Sequence, residues 1–202
     1  DETPEFSTVV LDALRQPLES GTLTIARASG SAQFPARFQL IMAANPCPCG
    51  QFGVRDGECT CTPIMRRRYL GKLSGPLMDR IDIQLRVNRV SSVALSCAEG
   101  AYRTSAEARA LVSAARQRAQ KRLEATPWRI NAEVPGSYLR AKPLRLPAAT
   151  TKALDGALER GQLTMRGYDR VLRVAWSVAD TEGADYPSAA HIARAVYLRK
   201  GI

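Results

Sequence analysis

At 202 residues, 45% hydrophobic and 24% charged, the chain has the make-up of an ordinary globular protein, which excludes wholesale disorder. Lys and Arg number 29 against 19 Asp and Glu, a net charge of +10 with a pI near 9.8, which favours a polyanionic partner such as nucleic acid, nucleotide phosphate or an acidic protein face without choosing among them. No run of about 18 apolar residues occurs and "DETPEFSTVV" lacks the basic-then-apolar layout of a signal peptide, so the expected setting is cytoplasmic, away from membranes and with reduced thiols.

Along the chain, Pro4 to Glu19 places Phe6, Val9 or Val10, Ala13 or Leu14 and Leu18 at helical spacing, which predicts a short amphipathic helix. "GTLTIARASGSAQF" predicts a β-hairpin: Leu23 and Ile25 alternate with threonines, and "ASGS" is turn chemistry. "RFQLIMAAN" is a continuous apolar run that predicts a central strand buried on both faces. A loop rich in Cys, Gly and Pro fills 46–63, followed by a helix, a Ser-Gly-Pro break and a second predicted strand, "RIDIQLRV". Beyond about Val90 the pattern turns helical, with helices expected over Ser105 to Ala125, Ala148 to Arg160, Tyr168 to Ala179 and Ser188 to Leu198. A Pro-punctuated connector that packs through Trp128 and Tyr138, rather than a free linker, joins the first two. The expected fold is therefore an α/β piece over 1–95 followed by an all-α domain over 96–202.

Four of the five cysteines lie between residues 47 and 61, as Cys47-Pro48-Cys49 and Cys59-Thr60-Cys61. Two close pairs on a short loop can close a tetrahedral thiolate site, and Gly50, Gly53 and Gly57 would let the loop fold back. Cys-x-Cys is less standard than Cys-x-x-Cys as half of a zinc site, so Zn²⁺ is weighed against plain reduced thiols. Cys97 stands apart and is simplest as a small buried hydrophobe, and His191, the single histidine, as a packing or surface residue rather than a catalytic one.

The succession of an acid pair, "PEF", "LRQPLE", "TI", "FPARF", "NPCPCG", "RRRY" and "LSGPLMDRID", with "INAE", "LTMRGYDRVLRVA" and "ADTEG" in the helical part, resembles the magnesium-chelatase-related AAA+ ATPases of the ComM/YifB family over nearly the whole chain. The resemblance implies a P-loop ATPase core followed by a helical lid. It implies that Asp1 and Glu2 end the Walker B motif, the Asp helping to hold Mg²⁺ and the Glu polarising the attacking water, and that Asn45 is sensor 1. By the same resemblance Arg80 is the arginine finger offered to the ATP of a neighbouring subunit, against a plain ion pair with Asp79 or Asp82. Arg166 is sensor 2, with Arg170 as the alternative. Arg27, on the hairpin, is the candidate DNA-backbone contact, against an ordinary surface arginine.

The phosphate-binding pattern G-x-x-x-x-G-K-[ST] is absent: Leu73 follows Gly71-Lys72 where Ser or Thr is needed. That loop and the first strands of such a core are expected before residue 1, so the chain reads as a truncated segment that does not hydrolyse ATP alone and leaves apolar sheet edges uncovered. The function implied is that of a homohexameric ring motor acting on single-stranded or branched DNA, as in branch migration during transformation or recombination. The alternatives are a chelatase motor for metal insertion into a tetrapyrrole and a zinc-stabilised nucleic-acid-binding module.

Overall fold

The structure, a computed structural model, describes residues 1–53, 57–87 and 103–200. Cys97 lies outside them. Two compact units divide the chain, Asp1–Ile81 and Asp82–Ile202.

The first unit opens with a 3-10 turn at Thr3–Glu5, then α1 (Thr8–Ala13) and α2 (Arg15–Ser20). The single predicted helix is thus two. Pro17 has no N–H to donate back to Ala13, so the ladder is interrupted at Leu14. Ser7 caps α1, its hydroxyl accepting from the Val10 N–H. The hairpin forms as predicted, β1 (Thr22–Arg27) pairing antiparallel with β2 (Gly30–Pro35) in a register that sets Leu23 opposite Phe34 and Arg27 opposite Gly30. Next come α3 (Pro63–Leu70) and the short α4 (Gly75–Met78). Each begins as capping chemistry dictates, with Thr62 accepting from Met65 and Ser74 from Leu77, and a Pro in the first turn where its missing N–H costs nothing.

Neither predicted apolar strand forms. Residues 36–45 are without strand pairing, and Phe38 and Ile41 are exposed, Ile41 to 81%. Residues 81–87 likewise form no strand, and Ile83, Leu85 and Val87 face solvent. Apolarity alone does not make a strand: its N–H and C=O groups need a neighbour, and among the described residues the only ladder is β1 with β2. What 36–45 does have is anchoring toward both ends, starting with the Ala36 N–H, which donates to the Gly21 carbonyl at 2.8 Å. Both the N–H and the hydroxyl of Thr3 donate to the Ala43 carbonyl, at 2.9 and 3.0 Å.

The second unit is helical: α5 (Ser105–Arg122), a 3-10 turn at Asn131–Glu133, α6 (Gly136–Leu139), α7 (Ala148–Glu159), α8 (Met165–Glu182) and α9 (Ala189–Lys200). A reciprocal capping box starts α5: Thr104 Oγ accepts from the Glu107 N–H, and the Glu107 carboxylate accepts from the Thr104 N–H at 2.7 Å. The core is organised on α8, whose buried Tyr168, Val171, Leu172, Ala175, Trp176 and Ala179 recur every three or four residues. This stripe packs against α5, α6, α7 and α9. In the connector, expected to pack through Trp128 and Tyr138, the two rings meet edge to face at 4.8 Å.

One buried polar cluster ties these helices. Arg122 holds the Asp180 carboxylate with both guanidinium nitrogens, at 2.6 and 2.7 Å, and also donates to the Asn131 side chain at 2.8 Å. Asn131 donates in turn to Asp180 and Ser177, and the Arg122 guanidinium stacks 4.2 Å over Trp176. Buried His191 donates its Nε2–H to Glu182 while Nδ1 accepts from the Ser188 N–H, a structural arrangement in line with its expected packing role.

Candidate functional site

The Thr3–Ala43 bonds set the acid pair next to Thr3 beside the end of the segment that closes on Asn45. Asp1, Glu2 and Asn45 are all exposed. Glu2 is, among the described non-glycine residues, the one with a left-handed backbone (φ 51°), a sparsely populated conformation that recurs at functional sites. Near Glu2 and Asn45 lies Tyr69, the buried residue of α3, at 6% exposure. Its hydroxyl is pushed above the usual phenol range by burial first, then by the negative charges of Glu5 and Glu2, while a hydrogen bond with the backbone of Asn45 works the other way. Tyr69 is thus within reach of Glu2, Glu5, Cys47 and the Asn45 backbone. Sequence reasoning treated Tyr69 only as the end of a basic run; its single signal was a large aromatic on an otherwise arginine-rich turn.

Beyond Asn45 the chain turns back on itself, the Gly50 N–H donating to the Cys47 carbonyl. Gly50 and Gly53 take left-handed φ of 72° and 78°, which side chains with a Cβ adopt at a cost. The result gathers Cys47, Cys49, Cys59 and Cys61, with all four Sγ atoms within 4.8 Å of one another. Among Cys47, Cys49 and Cys59 the separations are 3.4 Å for Cys47–Cys49, 3.7 Å for Cys49–Cys59 and 3.9 Å for Cys47–Cys59. All four are free thiols, Cys47 and Cys61 buried and Cys49 exposed. Backbone donors point at the sulfurs. The Phe52 N–H reaches Cys47 Sγ at 3.4 Å, and a hydrogen bond from the backbone of Gln51, helped by the neighbouring thiols, lowers Cys49 to about 6. At Cys61 a bond from the Cys49 backbone pulls the same way, but the Cys49 side chain, burial and Cys47 outweigh it and raise that thiol to about 11. Several thiols packed together cannot all ionise without a cation.

The far side of the loop is fastened to α3. Arg66, first of the "RRRY" run, donates to the Cys61 carbonyl at 3.0 Å and lies 4.0 Å over the Phe52 ring. This member of the basic run is a loop brace.

Arg80 is placed elsewhere in the same unit. Its guanidinium, 9% exposed, pairs with Glu19 and donates to the Pro76 carbonyl at 2.8 Å. The partner is neither Asp79 nor Asp82, the two that sequence proximity suggested. Arg80 lines a 530 Å³ cleft with Asp12, Arg15, Gln16 and Glu19. Arg27 is exposed at the end of β1, beside the two-residue turn. In the second unit Arg166 is exposed on the first turn of α8, whereas Arg170 pairs with Asp82 at 2.5 Å. Among the described residues no helix is long and apolar enough to cross a membrane.

Comparison with known proteins gives the same ordering of motifs a family. The profile described as "Magnesium chelatase, subunit ChlI" matches residues 1–95, and that described as "Magnesium chelatase, subunit ChlI C-terminal" matches residues 102–199. The chain belongs to the magnesium chelatase ChlI family. Relatives of this ChlI-family chain include a protein of Mycobacterium tuberculosis, 46% identical over 99% of this chain and 39% of its own length. Competence protein ComM of Haemophilus influenzae is 38% identical over 98% of this chain and 38% of its own length. YifB of Escherichia coli is 36% identical over 98% and 38% respectively. The chain thus spans about two fifths of the length of these relatives. Membership fixes an AAA+ ATPase-type family, and the α/β unit followed by a helical one is the fold expected of part of an AAA+ core with its helical domain. The four gathered thiols form a set that could hold zinc.

Proposed function

We propose that these residues belong to a ring-forming AAA+ motor that hydrolyses ATP and acts on single-stranded or branched DNA. The observation that carries the reading is the Thr3–Ala43 anchor, which brings an acid pair and an Asn to one edge as a Walker B and sensor 1 pair would require. In this reading Glu2 accepts the proton of the attacking water and Asn45 orients that water toward the terminal phosphate. Asp1 offers an exposed carboxylate, the hard oxygen ligand suited to the Mg²⁺ that accompanies ATP, and that ion supplies positive charge to the phosphates. Arg80 serves the neighbouring subunit's nucleotide, which requires it to exchange Glu19 for phosphate. Arg166 takes the lid position, with Arg170, paired with Asp82, as the alternative. The ring is a homohexamer, its setting the cytoplasm, and Zn²⁺ at the four cysteines is its further cofactor.

For DNA, support comes from the net charge of +10, the exposed Arg27 at the hairpin end, and similarity to a protein named for competence. If Arg27 contacts phosphate, Arg27→Ala in the full-length protein should weaken binding to forked DNA across all sequences. It should also reduce the slope of log affinity against log salt by about one per engaged subunit. Fluorescence anisotropy over a salt series measures both, and an unchanged slope would remove Arg27 from the interface. No DNA binding by the wild-type protein would turn the reading to the chelatase-type motor. Salt-dependent binding of DNA without ATP hydrolysis would turn it to a zinc-stabilised binding module.

A further inference from the structure

The cysteine cluster carries more than a ligand set. A mononuclear tetrahedral site with Zn–S bonds of about 2.3 Å holds its sulfurs ~3.8 Å apart. The separations among Cys47, Cys49 and Cys59, at 3.4, 3.7 and 3.9 Å, bracket that value, and all four atoms fit within 4.8 Å. A disulfide would need sulfurs near 2 Å, and an iron–sulfur cluster would spread them farther around its inorganic core. Four protein thiolates leave no open position, which marks a structural rather than a catalytic metal. The backbone donors on Cys47, Cys49 and Cys61 are the outer contacts that stabilise metal-bound thiolates.

The connectivity then matters. Cys47 is two residues past Asn45, and Cys61 is two residues before the first turn of α3. The other end of α3 delivers Tyr69 to the backbone of Asn45. A cation binding all four sulfurs therefore closes a circuit running from Asn45 through the loop, down α3 and back to Asn45 through Tyr69. Arg66, bonded to Cys61 and stacked on Phe52, braces it midway.

We propose that Cys47, Cys49, Cys59 and Cys61 bind one structural Zn²⁺ whose task is to hold Asn45 in place, with the Tyr69 hydroxyl as the positioning group at the far end of that circuit. The metal site stands on geometry alone. The consequence for Asn45 rests on the motor reading above, and the two are separable by experiment.

Intact protein purified from zinc-supplemented cells should carry one zinc per chain by elemental analysis. A mercurial thiol reagent should release that metal while titrating four thiols at the site. Exchange with Co²⁺ should give the intense d–d and thiolate charge-transfer bands of a tetrahedral sulfur site, a readout that needs no mutant to fold. The paired Cys47→Ser, Cys59→Ser variant should lose the metal. Less than half an equivalent of zinc, iron in its place, a pale octahedral cobalt spectrum, or disulfides in non-reduced peptide maps would overturn the site. Tyr69→Phe should keep its full zinc and its KM for ATP while turnover in the full-length protein falls about tenfold. Unchanged turnover would overturn the positioning role and leave the metal site intact. A wild-type protein with full zinc and no ATP hydrolysis would instead count against the motor reading.

Discussion

Replacing Glu2 with Gln in the full-length protein should cut ATP hydrolysis by about 10²- to 10⁴-fold while nucleotide binding survives. The range is what a positioned general base contributes. Gln keeps the size and the hydrogen-bonding reach of Glu but cannot take a proton, so the loss isolates the acid–base role from packing. The exchange leaves the local anchoring intact, because Glu2 is exposed and what anchors this stretch is Thr3, through its two bonds to Ala43. A steady-state hydrolysis assay paired with binding of a fluorescent nucleotide separates the two effects. A Glu2→Gln enzyme that turns over at more than about a tenth of the wild-type rate would remove Glu2 from the base position.

The largest expected effect on stability lies in the helical unit. Asp180 is 1% exposed and answers Arg122 with both oxygens, so Asp180→Ala strands a largely buried guanidinium and an Asn131 amide together. Removing one partner of such a pair typically costs about 3–5 kcal/mol. The stacking of Arg122 on Trp176, central in the core, makes relief by moving the arginine into solvent expensive. Denaturant unfolding should show the midpoint falling with little change in slope, and Asp180→Asn, which keeps an acceptor, should lose less. A cost below about 1 kcal/mol for the Ala variant would show that the cluster is not a keystone of the helical unit. This cluster also gives a physical reason for two of the stretches that carried the family resemblance: "INAE" supplies Asn131 and the end of α8 supplies Asp180.

The parts of the fold that could be read directly were those whose code is local. The stripe of α8 lies at helical spacing in the chain itself, so Tyr168 to Ala179 was legible and only the ends, Met165 and Glu182, were missed. The hairpin was legible because alternation and turn chemistry sit within 14 residues. The misread apolar runs failed for the opposite reason. Whether 36–45 is a strand depends on a neighbour that supplies hydrogen bonds, and nothing in "RFQLIMAAN" says whether one is there. At the site, the cysteines were legible by spacing, but their relation to α3 was not. Tyr69 lies 24 positions from Asn45, and Glu19 lies 61 from the Arg80 it holds, while the acids adjacent to Arg80 in sequence drew the wrong pairing. Long-range partners of this kind are set by how elements pack, which no local pattern encodes.

The central claim, that these residues form part of a DNA-acting ATP motor, meets its most direct test in the ATP hydrolysis rate of the full-length protein measured with and without forked or single-stranded DNA. The account predicts hydrolysis that rises on adding DNA and disappears in Glu2→Gln under both conditions. A rate indifferent to DNA, or one that Glu2→Gln leaves standing, would contradict it.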